Sequence, residues 1–213
     1  MSSPIAIGIA GGSGAGKSWF ARRILDRFPN QTTLIEQDWY YRDLSSLSPR
    51  VADSVNFDHP DSIEFDLLLR DLKSLGDGQA TRAPGYRYRT HHRIDGENHL
   101  LPRQILIVEG LFVLHHPKLR ELFDIKIFIE AKDDLRLERR VKRDISQRNY
   151  SKAEIRSSWD SQAAPMFDRF VGPSARYANI IWNPLIDKTF ESSFLADLRN
   201  RLARDERQAQ TNK

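Results

Sequence analysis

The chain has 213 residues and a mass of 24.7 kDa, with 39% hydrophobic and 29% charged residues, eleven glycines and ten prolines. This is the composition of one ordinary globular domain with a substantial core, and it excludes fibrous and disordered classes. No cysteine is present, so a disulfide framework, a thiolate nucleophile and Cys-ligated zinc or iron–sulfur sites are excluded, and a metal would be held by oxygen or imidazole. Thirty-three basic against 29 acidic residues leave +4 and an isoelectric point near 9.4, a small excess whose meaning depends on where the arginines lie. No apolar stretch approaches the roughly 18 residues of a membrane span and no charged leader precedes the first apolar run. The expectation is a cytoplasmic protein with no membrane partner.

Ile5–Ala10 is a continuous apolar run ending at Gly11, as expected of a strand buried on both faces of a parallel sheet. Further strand patterns lie at Thr33–Glu36, Gln104–Val108, Asp124–Ile129 and Ala178–Trp182. Helical patterns fall between and after them, at Lys17–Phe28, Ser62–Leu75 with Asp61 or Ser62 as cap, Asp133–Ile145, Lys152–Phe170 and Phe190–Ala203. The alternation predicts an α/β fold whose ligands bind beyond the carboxyl ends of the strands. The expected organisation is one domain over residues 1–204, with insertions at about 38–100, a lid at about 136–160 and a solvated tail over 205–213.

Directly after the first strand stand Gly11, Gly12, Ser13, Gly14, Ala15, Gly16, Lys17 and Ser18, which fit G-x-x-x-x-G-K-[ST] without a mismatch. Backbone N–H groups converge on phosphate oxygens only where a loop adopts conformations that a Cβ hinders, and the next helix adds its positive N-terminal end. Lys17 would reach the β and γ phosphates and the Ser18 hydroxyl would ligate Mg²⁺. The dinucleotide spacing G-x-G-x-x-G is absent, which disfavours nicotinamide and flavin chemistry. The fold class is therefore a P-loop NTPase-type three-layer sandwich, with a mainly parallel five-stranded sheet, helices on both faces and a helical lid.

The second strand ends at Gln37-Asp38-Trp39-Tyr40-Tyr41, placing a carboxylate on the rim of the site. Asp38 there is a candidate to accept a hydroxyl proton, or a turn residue. The strings Asn56–Ser62 and Tyr86–Arg93 mix aromatic and hydrogen-bonding groups. They suit a flat base, with Asp58 on two ribose hydroxyls, or they are exposed polar loops. Glu109, ending the third strand, would face the phosphate loop as an Mg²⁺ carboxylate. Neither His91-His92 nor His115-His116 has metal-site spacing. Lys132–Arg148 carries seven basic and four acidic residues, with Arg136, Arg140 and Arg143 on one helical face; arginines that close over a transferring phosphoryl group fit there, as does a solvated salt-bridged helix.

These residues together resemble the uridine kinase (uridine-cytidine kinase) group of the P-loop phosphoribulokinase and uridine kinase family, over roughly residues 5–184. The likeness rests on the phosphate loop, Gln37–Tyr41, Asn56–Asp61, the Tyr86 to His91 spacing, Val108-Glu109-Gly110 and Arg139–Asp144. It implies ATP- and Mg²⁺-dependent phosphorylation of the 5′-hydroxyl of uridine or cytidine in pyrimidine salvage. Asp38 would be the base, Ser18 and Glu109 would organise Mg²⁺, and Asp58 would hold the ribose. Tyr41, Phe57, Tyr86, Tyr88 and His91 would form the pyrimidine pocket, with Lys17, Arg140 and Arg143 acting on the phosphates. The resemblance also implies CTP or UTP as a restraining ligand and a homo-tetramer, with ATP or GTP as donor; the arginines cluster beside acids rather than forming an uninterrupted stripe, so no nucleic-acid partner is expected. The chain departs from the family pattern at Tyr150, where an arginine is usual, and at Ser158, where a glutamine is usual. A kinase for another nucleoside, a pantothenate-like acid or a sugar phosphate is the alternative, and a non-catalytic nucleotide-binding regulator is a further one.

Overall fold

The computed structural model describes residues 3–48 and 55–211. Strand β1 (Ile5–Gly11) is buried along its whole length, and its side chains alternate between two cores. Ile5, Ile7 and Ile9 face one cluster and Ala6 and Ala10 the other, the period of two that a strand imposes when both sheet faces are covered. The same division runs through β5 (Ile105–Gly110), where Ile105 and Ile107 oppose Leu106 and Val108. With β2 (Thr32–Glu36), β6 (Ile125–Ile129) and β7 (Ile180–Trp182) these form one five-stranded sheet in the order β2-β5-β1-β6-β7. Every pairing in it is parallel.

On the isoleucine face lie α1 (Lys17–Arg27), which buries Phe20, Ala21 and Ile24, and a long C-terminal helix, Phe190–Thr211, with Phe194, Leu198 and Leu202 at four-residue spacing. That helix runs through most of the segment expected to be a solvated tail; residues 212 and 213 lie outside the described residues. On the other face, α2 (Phe65–Gly76) buries Leu68, Leu72 and Leu75. It starts later than the pattern predicts, after a 3₁₀ turn at Pro60–Ser62 in which His59 Nδ1 accepts from the Asp61 N–H, and neither Asp61 nor Ser62 caps it.

Two further departures shape the site. Residues 81–100 form an antiparallel hairpin of β3 (Thr81–Arg87) and β4 (His92–Leu100), not loops. Pro84 and Gly85 interrupt β3 with a register shift, and β4 has few apolar positions, so neither carries a strand pattern. After α3 (Pro117–Arg120) and α4 (Asp133–Arg148), the helix expected over Lys152–Phe170 is regular only in α5 (Lys152–Ser158). It then passes through π turns at Trp159–Ala163 and Phe167–Val171 on either side of Pro165, whose missing N–H breaks the ordinary ladder. We label the C-terminal helix α6.

Candidate active site

The phosphate loop leaves β1 at Gly11 and enters α1 at Lys17. Positive φ values at Gly14 (78°) and Gly16 (112°) turn the backbone in the manner its glycines permit. Lys17 is buried, which lowers its pKa while the charges of Glu109 and Asp38 oppose the shift, and its Nζ donates to the Gly12 carbonyl at 3.1 Å. Ser18 Oγ donates to Glu109 Oε1 at 2.7 Å. Burial pushes the Glu109 carboxyl up to about 7, against the pull of Lys17 and with the charge of Asp38 adding to it.

Among the described residues no group of three or more His, Cys, Asp or Glu is placed to hold a metal. Ser18 and Glu109 are a pair of oxygen ligands beside the phosphate loop, and Mg²⁺ is commonly bound through one or two protein oxygens with substrate phosphates and water completing its shell. The donor set fits that ion, and a buried carboxylate raised by desolvation is the kind of group a cation would stabilise in its charged form.

Asp38 lies on a 3₁₀ turn, Gln37–Tyr40, at the carboxyl end of β2. Tyr88 Oη donates to its Oδ2 at 3.1 Å and Arg148 Nη2 reaches the same oxygen at 3.4 Å. Opposite, the buried Asp58 accepts from Arg140 through both guanidinium nitrogens, at 3.1 to 3.3 Å. Next to this pair, five rings meet. Phe57 and His91 stack at 4.8 Å and 12°. Tyr41 contacts Phe57 and Tyr86 at 5.3 and 5.2 Å, and Tyr86 meets Tyr88 at 5.6 Å. Within this string Tyr86 and His91 are buried while Arg87, Arg89, Thr90 and His92 stay exposed, and Tyr86 Oη has no hydrogen-bond partner among the described residues. Burial also raises the pKa of Tyr86, keeping it a donor.

One cavity of about 730 Å³ joins the two halves. It is lined by Ser13, Lys17, Ser18, Asp38, Tyr41, Phe57, Asp58, Tyr86, Tyr88, His91, Glu109, Arg140 and Arg143. The structure thus brings these candidate side chains to a single cleft, with Gly11, Gly12, Gly14, Ala15 and Gly16 forming the loop behind it, and leaves out only Arg136 among the arginines proposed to close over a phosphoryl group.

The arginines of α4 divide more finely than their shared helical face suggests. Arg140 and Arg143 line the cleft, both tied to the buried Asp144: Arg143 Nε donates to Oδ1 at 2.7 Å, and Arg140 Nε lies 3.6 Å from Oδ2. Arg136 is instead fully buried behind the phosphate loop. It pairs with Asp133 at 2.6 Å and lies over the rings of Phe167 and Trp159 at 3.8 and 5.0 Å. Arg139 donates to the carbonyls of Gly14 and Ala15 at 3.3 and 3.2 Å. Arg139 and Asp144 lie in the Arg139–Asp144 string noted from the sequence, but neither they nor Arg148 were given a role there. The four-residue spacing of 140, 144 and 148 is the signal that would have found two of them. At the two departures from the family pattern, Tyr150 Oη donates to the Tyr88 carbonyl at 3.4 Å, and Ser158 Oγ accepts from Arg140 at 3.4 Å.

A parallel sheet with a phosphate loop at its switch point, facing a carboxylate and a ring-lined cleft, defines a P-loop kinase. The comparisons place it further. The sequence signature of the phosphoribulokinase / uridine kinase family matches residues 6–190. The uridine kinase of Streptococcus uberis is 41% identical over 179 residues, covering 84% of this chain and 85% of that protein. Two solved structures share the fold: a phosphoribulokinase from Rhodobacter spheroides (TM-score 0.57, 19% identity, 85% of this chain and 70% of that one) and a D-glycerate 3-kinase from Cryptococcus neoformans var. grubii (TM-score 0.59, 14% identity, 80% of each chain). The chain belongs to the phosphoribulokinase / uridine kinase family.

Proposed function

We propose that the protein transfers the γ-phosphoryl group of ATP to the 5′-hydroxyl of a pyrimidine ribonucleoside, uridine or cytidine, in pyrimidine salvage. The observation that carries this reading is the acceptor pocket. A box of five rings contains a buried Tyr86 hydroxyl without a partner among the described residues, next to a buried carboxylate able to take a vicinal diol. A sugar-phosphate acceptor would call for cationic groups where Phe57, Tyr86 and His91 stand.

In this reading the pyrimidine lies among Tyr41, Phe57, Tyr86 and His91, and the ribose hydroxyls meet Asp58, held by Arg140. That presents the 5′-hydroxyl to Asp38. The carboxylate accepts the hydroxyl proton as the oxygen attacks the γ-phosphorus, the bond from phosphorus to the β–γ bridging oxygen breaks, and ADP leaves. Lys17, the loop N–H groups and Arg143 would neutralise charge on the phosphate oxygens. Ser18 and Glu109 would hold Mg²⁺, which supplies charge neutralisation and orientation of the phosphates. Most of the rate enhancement is then positioning and electrostatics, with no covalent enzyme intermediate.

The test is ADP release with ATP and Mg²⁺ against uridine, cytidine, purine nucleosides and sugar phosphates. Turnover confined to the pyrimidine nucleosides is expected, and equal background for all acceptors defeats the reading. Asp38→Asn should lower kcat at least 100-fold while the ATP dissociation constant, from titration calorimetry, stays within about threefold. Repeating the assay with GTP, and with CTP or UTP added, checks the donor range and restraint that the family resemblance implies.

A further inference from the structure

The two oxygens of Asp38 are not equivalent. Oδ2 accepts from Tyr88 and Arg148, while Oδ1 accepts from none of the described residues. The two donors come from different elements, Tyr88 from just beyond β3 and Arg148 from the last turn of α4, and they hold one another. The Arg148 guanidinium carbon lies 3.6 Å from the centroid of the Tyr88 ring, and Tyr150 Oη secures the Tyr88 carbonyl. A cation over the face of a phenol is attracted to the ring and fixes its plane. Burial, then the charge of Asp38, push the Tyr88 hydroxyl up in pKa, so it keeps its proton and serves as a donor. A carboxylate anchored through one oxygen is fixed in rotation and offers the lone pairs of the other.

We propose that Tyr88 is a positioning residue for phosphoryl transfer: its phenol, clamped under Arg148, turns the Asp38 carboxylate so that Oδ1 faces the acceptor hydroxyl. The proposal rests on the reading of Asp38 as the group that takes the hydroxyl proton. It differs from a role in binding the base, which would be expressed in KM.

Tyr88→Phe keeps the ring and the arginine stacking and removes only the donor. With whichever acceptor the wild type turns over, we expect kcat to fall about tenfold with KM for the acceptor within about twofold. In an Asp38→Asn background the same change should cost less than about twofold in the residual rate, because the carboxylate it orients has lost its function. A raised KM at unchanged kcat, no change in either, or the full tenfold loss repeated in the Asp38→Asn background would each overturn the proposal. A second readout needs no turnover. In protein labelled with [¹³Cζ]tyrosine, the Tyr88 resonance, identified by its disappearance in Tyr88→Phe, should move when Asp38 is replaced by Ala. An unmoved resonance overturns the proposal even if no acceptor is found, whereas a silent wild type with a moved resonance overturns only the proposed function.

Discussion

Gly12 has no side chain because Arg136 occupies the space one would fill. A Cβ there would fall inside the contact distance of Arg136 Nη1, and one on Gly14 would meet the Arg136 carbonyl oxygen. Arg136 cannot retreat easily, since its guanidinium is wedged against Phe167 and bound to Asp133. Gly12→Ala should therefore displace the phosphate loop and weaken ATP binding at least tenfold by titration calorimetry, with the far-ultraviolet circular dichroism of the fold retained. Full ATP affinity in the variant would show that the loop accommodates the methyl group. At this scale much of the site was legible. Residues 11–18, Asp38, Asp58 and Glu109 lie in short strings whose chemistry follows from neighbours in sequence. Arg136 and Arg139 were not distinguished from Arg140 and Arg143, because the sequence pattern places arginines on a helix but not which of its sides lies against the loop and which against the cleft.

Between elements, one buried carboxylate ties the acceptor side together. Asp71 on α2 is fully buried and accepts from Tyr40 Oη at 3.0 Å and from Thr81 Oγ1 at 3.1 Å. It thereby joins α2, the 3₁₀ turn that carries Asp38, and the start of β3. Asp71→Ala would strand the Tyr40 hydroxyl in the core and should cost about 2–4 kcal/mol in urea unfolding, with Tyr40→Phe costing about 1 kcal/mol. A loss under 0.5 kcal/mol in the alanine variant would mean that water replaces the carboxylate there. The elements also differ in how far their sequences announced them. The five parallel strands are apolar runs, because both faces are buried. The hairpin shows no such pattern, since only one of its strands puts buried side chains into the core, through Ala83 and Tyr86, while Pro84 and Gly85 interrupt the alternation and β4 is largely polar. In the segment after α5 the apolar spacing is helical but Pro165 is not, and the chain reconciles the two through π turns.

For the molecule as a whole, the cleft is a source of instability that its ligands would relieve. Glu109 has a folded-state pKa of about 7 against an ordinary value of 4.5. Between those values the folded protein holds a proton that the unfolded chain has released, so stability falls as pH rises through that window. Glu109→Gln removes the charge and leaves an acceptor for Ser18. The variant should match the wild type at pH 4.5 and exceed it at pH 8 by up to about 3 kcal/mol. Denaturant curves at the two pH values check this, and a variant less stable than the wild type at pH 8 would contradict it. Strain of this sign is expected of a carboxylate set in place for a cation and not for the fold.

The anchoring of α4 at its root has a mechanical consequence. The helix spans about 24 Å over its 16 residues. Its first turns pack against the phosphate loop through Arg136 and are fastened to the loop carbonyls of Gly14 and Ala15 by Arg139, and its last turn touches the Asp38 carboxylate through Arg148. It is therefore a beam that runs from the phosphate loop at one end to the Asp38 carboxylate at the other. A rotation that freed the Asp38 end would lever Arg139 off the loop carbonyls, so in the proposed reaction the hold on ATP and the seating of the acceptor would be coupled through one helix. The helix ends at Asn149, whose left-handed backbone (φ 56°) turns the chain toward Tyr150 and α5.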